Sequence, residues 1–127
     1  MSETDRKNLT ILIVEDNEDT RYLMRLGLED LGYRVCEAAD GEQAIDMAWR
    51  EQPNAILMDI SMPVLNGLTA TARIRELDGL STIPIVAVTA HHEVELRDGA
   101  QACGFTAYVT KPIDFKWLDE LLKNLIG

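Results

Sequence analysis

The chain has 127 residues, enough for one domain of ordinary size, and its 46% apolar and 27% charged content excludes a disordered polymer. Twelve Lys and Arg against 22 Asp and Glu leave a formal charge of −10, the opposite of what a binder of nucleic acid or of an anionic membrane carries. No apolar run nears the ~20 residues of a membrane span, the polar residues 1–8 lack a signal-peptide core, and Cys36 and Cys103 lack the spacing of a disulfide scaffold or zinc site, which points to a reducing, cytoplasmic setting.

In chain order, residues 9–14 form a first apolar run of strand length. A helix follows, with Met24, Leu28 and Leu31 on one stripe, Leu23 and Leu26 widening it, and Gly32 ending it. Residues 33–38 mix in Arg34 and Glu37 and read as an edge strand. Ala44, Ile45 and Ala48 mark a second helix. Residues 55–58 are apolar throughout, as in a strand buried on both faces, and residues 83–88 repeat that pattern after a third helix marked by Ala70, Ile74 and Leu77. A fourth helix, about 93–103, has only the thin stripe Leu96, Ala100 and Cys103, with Gly99 inside it and Gly104 at its end. Residues 105–109, with Thr106 among them, read as the second edge strand. Asp114 is placed to cap a last helix carrying Leu118, Leu121, Leu122 and Leu125. Trp49 and Trp117 read as helix packing residues, and Cys36 and Cys103 as small core hydrophobes.

Strands alternating with helices imply an α/β fold, (βα)5, with a doubly wound parallel five-stranded sheet. Two edge-like strands, the second and the fifth, select the order 2-1-3-4-5, the flavodoxin-like arrangement, with helices on both faces. Ligand sites in such sheets lie beyond the carboxyl ends of the strands, at the switch point between central strands. There the first strand ends in Glu15-Asp16, the third in Asp59, the fourth in Thr89-Ala90 and the fifth in Lys111-Pro112.

Two carboxylates ~4–5 Å apart at an effective dielectric of ~20 repel by about 3–4 kcal/mol, so such a cluster calls for a cation. Carboxylate oxygens with waters suit Mg²⁺. Read singly, Glu15 and Asp16 are equally first-turn or capping acids facing water, since Asn17, Glu18 and Asp19 follow. Asp59 ends an apolar strand where packing gives a carboxylate no role, which makes it a candidate nucleophile for an acyl phosphate. Lys111 as a mobile charge and Thr89 as a hydroxyl donor meet the needs of phosphoryl transfer, which is mostly positioning and electrostatics.

The segments Ile11-Leu12-Ile13-Val14-Glu15-Asp16-Asn17, Ile56-Leu57-Met58-Asp59-Ile60-Ser61-Met62-Pro63, Pro84-Ile85-Val86-Ala87-Val88-Thr89-Ala90 and Tyr108-Val109-Thr110-Lys111-Pro112 together resemble the receiver domain of two-component response regulators. The resemblance implies that Asp59 is the phosphoacceptor for a histidine kinase or histidine phosphotransfer protein. It implies Mg²⁺ held by Asp16, Asp59 and the backbone carbonyl of Ser61, with Glu15 acting through a water. Thr89 and Lys111 would meet the phosphoryl group, the Lys111-Pro112 bond would be cis, and Tyr108 would be the switch aromatic that responds to Thr89. Gly67 would let the loop after Asp59 turn into the third helix. Ser61 and His91 would line the path of hydrolytic water and set the phosphoryl lifetime; read alone, His91 is an exposed residue starting the fourth helix.

The implied function is that of a receiver whose face of fourth helix, fifth strand and last helix controls a downstream protein effector. It is no enzyme beyond self-catalysed phosphotransfer and autodephosphorylation. Residues 1–127 are expected to form one receiver domain with a polar tail at 1–8 and no output domain, a monomer or weak dimer that neither enters a membrane nor binds nucleic acid directly. The native start favours a stand-alone regulator over a receiver excised from a hybrid kinase. A docking receiver that is never phosphorylated is the other alternative. A haloacid-dehalogenase-type enzyme is rejected because Ser61 stands where its second Asp is required, and a nucleotide module because Glu15 to Asp19 would repel phosphate.

Overall fold

The computed structural model describes residues 7–60, 67–89 and 104–126. Its elements are β1 (Thr10–Val14), α1 (Glu18–Asp30), β2 (Arg34–Ala38), α2 (Gly41–Glu51), β3 (Ala55–Asp59), α3 (Gly67–Arg75), β4 (Ile85–Thr89), β5 (Ala107–Thr110) and α4 (Phe115–Ile126). All neighbouring strands are parallel, in the order β2-β1-β3-β4-β5. This is the doubly wound order expected from the alternation. The helix expected at about 93–103 lies outside the described residues, as do Ser61, His91 and Cys103.

Burial explains the order. Every residue of β3 and β4 is buried, as is all of β1 after Thr10, whereas β2 and β5 are only partly covered. A strand with apolar residues on both faces is stable only between two helical layers, so the polar-bearing strands take the edges. Side chains alternate across the sheet. Leu12, Val14, Ile56, Met58, Ile85 and Ala87 face α2 and α3, which contribute Ala44, Ala48, Ala70 and Ile74. Ile11, Ile13, Leu57, Val86, Val88 and Val109 face α1 and α4, which contribute Met24, Leu28, Leu118 and Leu122.

The helix ends follow their local chemistry. Asn17 caps α1, its side chain accepting from the Thr20 N–H at 2.9 Å. Gly32 takes φ 106° after α1, and the N–H of Tyr33 reaches back to the Leu28 carbonyl at 3.1 Å while that of Gly32 reaches Glu29 at 3.0 Å. This closes the helix as a glycine cap does. It also takes Tyr33 out of the strand, so β2 begins one residue later than its apolar pattern. Asp114 caps α4 by accepting from Lys116 and Trp117, as expected.

Four apolar side chains depart from expectation. Leu23 and Leu26 are 62% and 45% exposed, because Met24 and Leu28 alone point α1 at the sheet and the other two lie well round the helix from them. Trp49 and Trp117 are half-exposed rather than packed inside. Cys36 is partly buried against the core, and burial pushes its thiol up to about 11, so it is an inert packing residue.

Candidate functional site

Strand register assembles the candidate site at the carboxyl rim. Val14 pairs with Met58, so the next step places Glu15 beside Asp59, the last residue of β3. The ladders continue past the strand ends. The Glu15 N–H donates to Ala38, that of Ile60 to Val88 and that of Lys111 to Thr89. Glu15, Asp59 and Lys111 thus continue the side-chain parity of the face covered by α1 and α4. Thr89 continues the parity of Ala87, on the face where Tyr108, the partner of Ala87 across the ladder, packs against the core.

The side chains converge accordingly. Lys111 Nζ stands 3.2 Å from Glu15 Oε2 and 3.5 Å from Asp59 Oδ2. One carboxylate oxygen from each of Glu15, Asp16 and Asp59 lies within 4.8 Å of the others. Glu15, Asp59 and Thr89 are buried, Asp16 is exposed and Lys111 is half-buried. The reading of Glu15 as a capping acid facing water is therefore overturned. The cap is Asn17, and the acids in the first turn are Glu18 and Asp19.

Electrostatics follow from this crowding. Burial, then the hydrogen bond and negative charge of Asp59, push the Glu15 carboxyl up to about 7 despite the opposing pull of Lys111. Burial alone would lower the Lys111 ammonium, but the charges of Asp59 and Glu15 outweigh it and raise its pKa. One ammonium leaves the three carboxylates short of positive charge, and a hard divalent cation with oxygen ligands fits that donor set.

Sequence reasoning missed the residues that hold the loop. The Asn17 N–H donates to Glu15 Oε1 at 3.3 Å, and Arg21 Nη1 donates to the Glu15 carbonyl at 2.9 Å while its Nε pairs with Glu37. An Arg four residues after a cap is a common surface residue, and nothing in its spacing signals this role. Gly67 is placed as expected: a Cβ there would stand 2.7 Å from Ile60 Cα and closer still to the Asp59 carbonyl oxygen. The Lys111-Pro112 bond is cis, as the resemblance implied.

Comparison with known proteins agrees with this geometry. Residues 11–123 match the family model described as the response regulator receiver domain. The chain is 37% identical over 122 residues to the polar-differentiation response regulator DivK of Brucella anthropi, covering 93% of this chain and 96% of that one. It is 40% identical over 106 residues to an uncharacterised 14.6 kDa protein of Leptolyngbya boryana, covering 84% and 81%. The receiver domain of the sensor histidine kinase PA1611 from Pseudomonas aeruginosa, solved with magnesium coordinated in its active-site cleft, superposes with a TM-score of 0.87 at 39% identity, over 94% of this chain and 98% of that one.

Proposed function

The chain belongs to the response regulator receiver family, a family of signalling domains in two-component systems, and we propose that Asp59 accepts a phosphoryl group from the phosphohistidine of a histidine kinase or histidine phosphotransfer protein. One observation carries this reading: a buried carboxylate at the end of β3 lies within 3.5 Å of the Lys111 ammonium, in a cluster of three acids.

An Asp59 oxygen attacks phosphorus, the phosphorus–nitrogen bond of the donor breaks, and the departing imidazole leaves with that electron pair. Lys111 exchanges its contact with Asp59 for the incoming phosphoryl oxygens, and Thr89 donates its hydroxyl to them. Mg²⁺, when held by Asp16, Asp59 and the Ser61 carbonyl with Glu15 through a water, supplies the charge neutralisation that one ammonium leaves incomplete. Ser61 and His91 govern the access of hydrolytic water and so the lifetime of the acyl phosphate.

The response travels along the other face of the sheet. Thr89 and Tyr108 share it, so a hydroxyl drawn toward the phosphoryl group vacates space beside the aromatic ring. The segment 93–103, β5 and α4 then change their affinity for a downstream protein. Donor docking is supported by a groove of about 590 Å³ lined by Thr20, Leu23, Met24, Lys111, Pro112 and Phe115. Its lining includes the exposed Leu23 of α1 as well as Lys111, and an apolar helix carrying the phosphohistidine would lie there. The shared family leaves both the stand-alone and the hybrid-kinase settings open to this mechanism.

Intact mass after incubation with acetyl phosphate tests the reading. A single phosphoryl adduct is expected with Mg²⁺, and none in EDTA or in Asp59→Asn. No adduct under any condition, and none from a phosphorylated histidine phosphotransfer protein, would assign the chain to the alternative of a docking receiver.

A further inference from the structure

A second groove, of about 580 Å³, runs between α2 and the turn that follows α3. We propose that it docks a cationic amphipathic helix of a protein partner, independently of the chemistry at Asp59. Its floor is Ile45 and Leu77, both partly buried against the core, and its wall is Trp49, which is 53% exposed. Its rim carries Glu42, Asp46, Glu76 and Asp78.

Sequence spacing explains the groove. Glu42, Ile45, Asp46 and Trp49 recur at i, i+3, i+4 and i+7, so they form a stripe about two turns long on the flank of α2, beside the face that carries Ala44 and Ala48. Ile45 packs against the core at the inner edge of this stripe while Trp49 stands exposed beside Glu42 and Asp46, and a partner helix can read such a half-covered apolar edge by the same spacing. The groove is also held in shape before any partner arrives. Gln52 Nε2 donates to the Trp49 carbonyl at 3.1 Å, and its Oε1 abuts Gly79, where an added Cβ would stand 3.0 Å away. Consecutive turn bonds from Glu76 to Arg73, Leu77 to Ile74 and Leu80 to Leu77 fix the other wall. Preformed walls spare the ordering cost of binding.

Charge selects the occupant. Arg50 pairs with Asp46 at 3.6 Å, but both side chains are well exposed and the pair leaves the rim strongly negative. Lys and Arg of a partner meet complementary charge at Glu42, Glu76 and Asp78, and the face of Trp49 accepts a cation. Because α2 and α3 run back from the carboxyl ends of β2 and β3, Trp49 and the turn at 76–78 lie toward the end of the sheet opposite Asp59. An occupant there leaves the acidic cluster open.

The test is an NMR titration of the ¹⁵N-labelled chain with an 18-residue helical peptide of Leu and Lys in amphipathic spacing. Saturable shifts centred on 42–49 and 76–79 are expected. Glu42→Lys with Glu76→Lys should weaken binding at least tenfold, and Trp49→Ala about fivefold. Asp30→Lys with Glu120→Lys changes the net charge equally at exposed positions elsewhere and should weaken it less than twofold. Equal loss in the two charge-reversed pairs, or shifts spread over the other acidic surfaces, would mean that only the overall negative charge attracts the peptide, and the proposal would fall.

Discussion

Lys111 and Glu15, 96 positions apart in sequence, meet at 3.2 Å because β1 and β5 deliver their next residues to the same face of one sheet. That contact is where the acidic cluster obtains its internal countercharge. Removing it separates what the fold does from what the site does.

Lys111→Ala should leave the sheet intact and slow phosphoryl uptake by about a hundredfold, the usual cost of losing one positioned electrostatic donor. Stopped-flow fluorescence or intact mass against time with acetyl phosphate measures it. A rate within threefold of the parent would remove Lys111 from the mechanism.

Glu15 makes metal-free stability depend on pH. Its folded pKa of about 7 lies above the ordinary 4.5, so the native state holds an extra proton between those values. Stability should therefore fall as pH rises from about 4.5 to 7, by about 3 kcal/mol at the limit. Denaturant midpoints in EDTA at pH 5 and pH 8 give the slope, and Glu15→Gln should flatten it. Added Mg²⁺ should restore the loss at pH 8, with proton release on binding near pH 6.5 visible as a buffer-dependent heat. A midpoint that rises with pH over this window would contradict the assignment.

Gly67→Ala places a methyl group against the backbone of Asp59 and Ile60, which cannot move aside as a flexible side chain can. A destabilisation of about 1–3 kcal/mol is expected, together with slower phosphoryl uptake, because the displaced backbone is that of the acceptor itself. Urea denaturation and the uptake assay should move together.

Arg75 holds the opposite end of the sheet. Its guanidinium donates to the carbonyls of Gly104, Leu80 and Ile83 and to the Thr106 hydroxyl, which in turn accepts from the Ile85 N–H. Arg75→Lys cannot reproduce that fork and should cost about 2–3 kcal/mol while leaving the uptake rate of the folded protein unchanged. Thermal melting read beside the uptake rate distinguishes this from a role at the site.

The fold was legible wherever burial is two-sided. Residues 55–58 and the run 83–88 needed no partner knowledge to read as central strands, although the second strand begins only at Ile85, after Pro84, and runs on to Thr89, and Arg34, Glu37 and Thr106 marked the edges. The rim was legible because Glu15, Asp59 and Thr89 each follow directly on an apolar run and Lys111 comes two residues after Val109, and parallel strands bring such ends to one rim. Long-range polar contacts were not. Nothing local distinguishes Arg75 from Arg73, although one is a hub and the other an exposed side chain. Tyr33 and Asp119 bond at 2.7 Å across 86 positions, inside the layer between α1 and α4, and neither carries a periodic signal. The exposed stripes of α1 and α2 were misread for the opposite reason. Leu23, Leu26 and Trp49 have the composition of core residues, and only the facing direction of each helix settles that they look outward.

The most direct test of the central claim is to locate the phosphoryl group at residue resolution. The chain is treated with acetyl phosphate and Mg²⁺, reduced with borohydride to convert any acyl phosphate to an alcohol, digested and read by tandem mass spectrometry. The account predicts conversion at Asp59 alone, abolished by EDTA. Conversion at Asp16 or Glu15 instead, or at Asp59 with equal yield in EDTA, would contradict the roles given to the acidic cluster.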